Sequence, residues 1–482
     1  IAKTGFLWNK PGTLQKEDTV IRATTKGRTT TIRALGTPTD NPESVDTPYF
    51  SFDSDTPMAF YTGRSRTLGE IKSRIAERKN ALKTKNALYA DSADAYEAIQ
   101  SVVGWNMFYD AFNDRGISSV SRIWNQTWGG YIIFDWDTYF IALLASLEHK
   151  DLAYANVFAI TRSITDGGFI PNVASAYEKS NDRSQPPVGA MTAKLIYDRY
   201  GEKWFLEEVY GTLMRWNRWW PKARDNQGYL SWGSHPHPKG MSAHTLQAAK
   251  WESGLDNSPM FDGIVFNTET NCMELASVGL MSLYIADCHY LASIAQELGK
   301  NEDARELTTR ASTYAVKLNE LWDGEMGLYR DKNLVTGTFT EHKSPTHFYP
   351  LLAQVPTAEQ AQRMVEEHLM NPDEFHGEYM IPSISRDNAA FEDNSYWRGR
   401  IWAPMNFLVY MGLRNYDFPE AQKELSQKSR ELIMQEWTAK RRIHENYNAV
   451  TGQGDDVRNS DPFYAWAGLL SYIAFMEEGY VK

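Results

Sequence analysis

The chain has 482 residues, 42% hydrophobic and 23% charged, with a net charge of -11. That length holds one large core or a large domain with a small companion, and no apolar run approaches the roughly 20 residues that cross a bilayer. The negative charge, with no Lys/Arg cluster to interrupt it, argues against nucleic acid and anionic lipid as partners.

Residues 1–63 form a small β-rich region. Period-two runs flank Lys26-Gly27 as in a hairpin, and the runs P-Y-F-S-F and M-A-F-Y read as further short strands. From Thr67 the period changes to 3.6. Apolar stripes recur near 88–112, 138–148, 152–164, 188–200, 203–220, 268–298, 304–321, 357–369, 402–413, 418–437 and 461–477, which predicts about a dozen helices. Several are joined by short polar turns, and Gly201 and Gly299 stand where a left-handed residue ends one helix before the next. Helical hairpins can form a toroid, a bundle or a solenoid; the lack of a strict repeat period argues against a solenoid, and the helix number and long connections fit an (α/α)6 barrel over residues 64–482, a mainly α fold. Its longer Gly- and aromatic-rich connections are expected at one mouth.

Only Cys272 and Cys288 are present, both placed by this reading in one helix from about 268 to 298. Sixteen helical residues separate them by roughly 24 Å, against about 5.5 Å for a disulfide, so they do not pair. Redox logic leaves the compartment open. The start at Ile1, without a visible signal peptide, suggests a processed or trimmed chain, and a periplasmic or secreted setting is favoured over a cytoplasmic one.

The aromatic bias is strong, with 16 Trp and 26 Tyr, and Trp124, Trp128, Trp136, Trp251, Trp397 and Trp402 stand in polar, loop-like contexts. Aromatic faces stack on the C–H faces of sugar rings, although about half of the Trp residues are expected in cores. Two stretches, W-E-S-G-L-D-N-S-P at 251–259 and H-E-N-Y-N at 444–448, set a carboxylate among aromatic and amide groups. Glycosidic hydrolysis needs one protonated carboxyl to donate to the leaving oxygen and one ionised carboxyl to activate water. Apolar neighbours raise the first, and amide and hydroxyl donors are expected to keep the second charged. Asp256 and Glu445 are the pair selected. Glu252 competes with Asp256, four residues before it, were that turn helical; Gly254 and Pro259 argue for a loop.

The strings G-G-Y-I-I-F-D-W-D-T-Y-F, R-S-Q-P-P, W-E-S-G-L-D-N-S-P, Y-W-R-G-R-I-W-A-P-M-N and E-N-Y-N, in this order, resemble glycoside hydrolase family 63. The resemblance spans about 130–466 and implies an inverting mechanism on an (α/α)6 barrel, with Asp256 as acid and Glu445 as base. It implies sugar contacts for Asp137, Trp397 and Arg398; Arg183 and Gln185 offer a forked donor and an amide that suit vicinal hydroxyls, and Trp124, Trp136, Trp251, Glu252, Asn257 and Tyr447 are further expected sugar contacts. For Asp137 the alternative is an N-terminal helix cap, and for Arg183 a buried salt bridge. The family usually carries a large β-sandwich ahead of the barrel, where this chain has about 60 residues before the first helix.

An exo-acting α-glucosidase on a short glucoside or oligosaccharide is the expected activity. The alternatives are an α-mannoside hydrolase of the mannosylglycerate type, a barrel phosphorylase or lyase, and a non-catalytic sugar-binding protein. No cofactor is required. His235 and His237 lie in a Pro-interrupted loop without a third ligand, which argues against zinc. Asp225-Asn226-Gln227-Gly228 resembles half a calcium loop without its closing Glu, leaving structural calcium as a minor expectation. A small carbohydrate is the expected partner; the oligomeric state stays open.

Overall fold

The computed structural model describes residues 2–5, 12–39, 48–110, 112–175, 178–238 and 242–481. Six strands open the chain: β1 (Ala2–Gly5), β2 (Thr13–Glu17), β3 (Val20–Thr25), β4 (Arg28–Leu35), β5 (Tyr49–Phe52) and β6 (Ala59–Thr62). They form an antiparallel sheet in the order β2-β3-β4-β6 and a separate β1-β5 pair. The Lys26-Gly27 turn is as expected: both residues have positive φ, 46° and 74°, which matches a two-residue hairpin to the twist of its strands. Ile21, Ala34, Phe50 and Phe52 make a small core of their own.

Helix α1 (Leu68–Asn86) starts at a capping box between Thr67 and Glu70 but buries none of its residues. The barrel follows as six helical hairpins. Their outer members are α2 (Ala93–Trp105), α5 (Lys150–Thr161), α7 (Lys203–Arg224), α10 (Asn301–Asn319), α12 (Ala358–Arg363) and α14 (Pro419–Lys440). The inner members are α4 (Asp135–Ala145), α6 (Gly189–Tyr200), α9 (Val278–Glu297), α11 (Tyr349–Leu352), α13 (Ala403–Leu413) and α15 (Leu469–Glu477). Two short helices, α3 (Arg122–Thr127) and α8 (Leu246–Ser253), lie within connections. Each inner helix packs on the next, and α15 closes the ring against α4. Every residue of α4 and α13 is buried, as a helix walled in on all sides requires, whereas α10 buries one stripe and leaves the opposite face to water. This is the expected (α/α)6 toroid.

The structure corrects the sequence reading in three places. Helix α9 begins at Val278, not near 268, and Cys272 lies in a short strand, Cys272–Met273, paired with Phe266–Asn267. The cysteines are free and buried, so they are unpaired for a different reason than helical spacing. The inner segment at 345–352 gave no stripe, because Pro345 and Pro350 break it into a 3-10 turn and one turn of α-helix. Finally, α9 is 20 residues long and apolar enough to cross a bilayer by length and composition, contrary to the reading of apolar runs; it is largely buried as a wall of the barrel.

Because outer and inner helices alternate in direction, all six outer-to-inner connections end at inner-helix N-termini on one rim. Residues 106–134, 162–188, 225–277 and 370–402 are long connections of this kind. The rim is therefore where the quoted motifs meet.

Candidate active site

Asp137 sits in the first turn of α4, a position that favours a carboxylate near unsatisfied N–H groups. It is 2% exposed and accepts a hydrogen bond from the Tyr464 hydroxyl at 2.8 Å. Burial pushes its carboxyl up to about 7, against the Tyr464 bond, with the Asp256 charge adding to the rise.

Asp256 follows α8, which ends at the left-handed Gly254, with φ of 73°. So W-E-S is helical and the loop begins only at Gly254, a partial correction of the loop reading. A Cβ at Gly254 would stand 2.6 Å from the Trp136 ring, so the bare backbone is what lets the acid loop lie on that indole. Burial lifts the Asp256 carboxyl to about 7, opposed by the nearby Arg183 guanidinium. Arg183 is held by Asn172 Oδ1 at 3.0 Å and Asp182 Oδ2 at 2.8 Å, and lies 4.7 Å over Trp251. The expected salt-bridge alternative for Arg183 is thus present, and its charge also reaches the acid.

Glu445 is 4% exposed. Tyr396 donates its hydroxyl to Oε1 at 3.1 Å, and the Asp461 backbone N–H lies 3.4 Å from Oε2. These donors favour the anion, as expected, but burial, with Asp461 and Asp137 adding, outweighs them and holds the carboxyl well above its usual range. Burial thus opposes the expectation of a base kept charged by its donors. The Glu445 carbonyl accepts from Trp466 Nε1 at 3.1 Å, which fastens the segment to the aromatic floor.

That floor consists of Trp136, Trp397, Trp402 and Trp466. Trp397 stacks on Trp402 at 3.7 Å and near-parallel to Trp136 at 6.2 Å, with Trp466 edge-on to all three. Trp136, Trp397 and Trp402 are buried; Trp397 and Trp402 lie in a connection, as their context suggested, while Trp136 stands in the first turn of α4. Trp124 packs edge-on against Phe134 and Trp128 is exposed.

Four further residues expected to touch sugar are engaged by the protein itself. Glu252 is fully buried; Arg224 holds it from Nε at 2.6 Å and Nη2 at 2.8 Å, and the backbone N–H groups of Ser184 and Gly233 take the rest of its oxygens. It has no lone pair facing a substrate, which removes it as the rival acid. Tyr447 has no exposed surface, and its hydroxyl accepts from the His444 backbone N–H at 2.9 Å. Arg398 is paired with Asp393 at 2.6 Å and Asp262 at 3.0 Å. Asn257 donates to Ser395 O at 3.1 Å and accepts from Trp397 N at 2.8 Å, bracketing the acid loop to the Y-W-R-G segment. Gln185 is buried behind the rim and its Oε1 makes no hydrogen bond among the described residues. His235 turns to Arg224 Nη1 at 3.1 Å, and D-N-Q-G forms a hairpin turn in which Asp225 accepts from Tyr314 and Gly228. Lys239 and Gly240 of the S-H-P-H-P-K-G run lie outside the described residues.

The sequence reading missed Tyr396, Tyr464 and Asp461. Tyr396 has φ of 58°, a strained value for an aromatic residue, and its charge environment couples it to Glu445, Asp256 and Asp137 together. It stood in plain view ahead of W-R-G. The strands Arg400–Ile401 and Tyr447–Asn448 pair antiparallel, and buried Arg400 bonds Asn446, Asn394 and Asp456, so the two motifs are one unit.

A closed (α/α)6 ring whose rim gathers three carboxyls, Asp137 and Glu445 buried and Asp256 partly exposed, over an indole floor belongs to the glycoside hydrolases built on this toroid. A mannosylglycerate hydrolase MGH1-like glycoside hydrolase domain matches residues 130–467, and the chain belongs to that family, within glycoside hydrolase family 63. A mannosylglycerate hydrolase of Selaginella moellendorffii is 23% identical, over 72% of this chain and 81% of that protein. One from Thermus thermophilus is 24% identical, over 62% of this chain and 78% of its own length. The neutral trehalase of Kluyveromyces lactis is 30% identical over 44% of this chain and 28% of the trehalase. Among solved structures, the GH63 mannosylglycerate hydrolase from Thermus thermophilus in complex with glucose superposes with a TM-score of 0.63 at 21% identity, covering 78% of this chain and 98% of that one. The Saccharomyces cerevisiae neutral trehalase gives 0.60 at 18% identity, with 80% of each chain covered.

Proposed function

We propose that the chain is an inverting α-glycosidase acting on a short α-mannoside with a small polar aglycone, of the mannosylglycerate type. The observation that carries this reading is the convergence of Asp256, Asp137 and Glu445 around Tyr396. Asp256, lifted to about 7, holds a proton below that pH and donates it to the glycosidic oxygen as the bond to the anomeric carbon breaks. Water attacks from the opposite face and loses its proton to Glu445, inverting the anomer. Asp137 binds sugar hydroxyls, and Arg183 with Trp251 borders the leaving group on the Asp256 side. The α-glucoside reading remains in competition, supported by the trehalase relatives.

Asp256→Asn is expected to lose roughly 100- to 10,000-fold in kcat on α-glycosides while keeping turnover of the matching α-glycosyl fluoride, whose leaving group needs no proton. Mannosylglycerate, other α-mannosides, trehalose and other α-glucosides form the substrate panel, with NMR of the first-released anomer. Release of the α-anomer overturns inversion. One observation favours exchanged roles: the Arg183 guanidinium stands beside Asp256 and favours its anion. Retained fluoride turnover in Glu445→Gln, and not in Asp256→Asn, establishes that exchange.

A further inference from the structure

Behind Glu445 lies a pair of side chains that the catalytic reading does not use. Residues 443–445 pair antiparallel with 461–463, through Glu445 N to Asp461 O at 2.9 Å and the His444 bridge to Pro462. Alternation along this extended segment sends Glu445 to the pocket and His444 the other way, toward α14. His444 is 1% exposed, and its Nδ1 stands 3.6 Å from Glu436 Oε2. That is too long for a hydrogen bond, and neither atom makes one elsewhere among the described residues. Glu436 Oε1, by contrast, accepts from Lys440 Nζ at 3.2 Å and Gly454 N at 3.3 Å.

The charged groups facing the imidazole are Glu436 and Lys440 from α14, Arg442 before it, and Asp455 from the loop across it; Tyr447 lies edge-on at 6.2 Å. On the remaining side, a Cβ at Gly454 would stand 2.3 Å from His444 Cγ, so the ring is backed by bare main chain and cannot retreat. Two buried polar atoms facing each other unpaired are costly, and a closure of under ~1 Å gives the charge-assisted bond length.

We propose that Glu436 and His444 are a positioning pair for Glu445. On closing, His444 Nδ1–H donates to Glu436 Oε2, and the closed brace fixes residues 443–445 so that the Glu445 carboxylate stands at the distance water attack requires. The inference rests on Glu445 being the base. Burial holds the imidazole below its ordinary value, so the neutral ring with its proton on Nδ1 is the closing form near neutrality.

His444→Ala is expected to lower kcat about tenfold or more with KM within about twofold. His444→Asn, which keeps a donor near the Nδ1 position, recovers most of that loss. Glu436→Gln moves the acidic limb of the kcat/KM–pH profile, where the base titrates. Should His444→Ala fail to fold, His444→Asn and Glu436→Gln are read by the same profile. Variants that lower only the melting temperature, with kcat and the acidic limb unmoved, overturn the proposal. Glu445→Gln measured alongside separates the two levels: near wild-type turnover there removes the base assignment itself, whereas its loss beside an unmoved His444 series removes only the brace.

Discussion

Tyr396 shows how one side chain joins what the chain keeps apart. Its hydroxyl reaches the Glu445 carboxyl while Trp402 Nε1 holds its carbonyl at 3.0 Å, so its strained backbone is fixed from both ends. Removing the donor withdraws one of the two bonds that favour ionised Glu445. Tyr396→Phe should therefore raise the Glu445 pKa, moving the acidic limb of kcat/KM to higher pH, and lower kcat about tenfold, about 1.4 kcal/mol in the barrier. Steady-state kinetics from pH 4 to 8 check both. An unmoved limb with unchanged kcat means that the hydroxyl plays no part in the base's ionisation.

The elements that matter most are the connections, because the helices only set their spacing. The acid loop is held by Gly254 resting on Trp136 and by the Asn257 bracket to Ser395 and Trp397. Gly254→Ala places a methyl into the indole and a non-glycine residue at positive φ, a combination expected to cost roughly 1–3 kcal/mol of stability with a loss of kcat. Asn257→Ala leaves the loop on its indole but unties it from the Y-W-R-G segment, so kcat falls further than the melting temperature does. Thermal unfolding beside single-turnover rates distinguishes the two variants. Equal losses in both would show that the bracket serves packing alone.

Across the whole molecule, the barrel interior carries several buried carboxyls, Asp135, Asp137, Asp287 and Glu445 among them. Asp135 has no exposed surface and neither of its oxygens has a side-chain partner among the described residues, and Asp287 in α9 is held by Asn217 at 2.7 Å. Burial raises Asp137, Asp256 and Asp287 to about 7, and Asp135 and Glu445 well above their usual range. Each thus holds its proton in the folded chain to a higher pH than in the unfolded chain, where carboxyls titrate near 4. Their contribution is present below about pH 4 and is lost as pH rises toward about 7. The melting temperature should fall between pH 5 and 7.5, and Asp287→Asn should flatten that fall, as read by calorimetry across the range. A melting temperature that rises with pH in both proteins would show that these carboxyls ionise freely in the fold.

The sequence by itself determined the helix periodicity, the hairpin at Lys26-Gly27, the toroid and the two catalytic candidates, because each is written in local spacing or in a contiguous motif. It did not decide which motif residues face the sugar. Glu252, Asn257, Arg398 and Tyr447 carry the right chemistry for a sugar site, and the fold uses all four to hold its own loops. Nor did it reveal the partners of Glu445 and Asp137, since Tyr396 and Tyr464 come from other connections. Even the start of α9 was misplaced, because strands at Cys272–Met273 and Leu275–Ala276 are as apolar as the helix that follows. Hydrogen-bond partners and burial are set by which segments meet at the rim, and only closure of the ring brings those segments together.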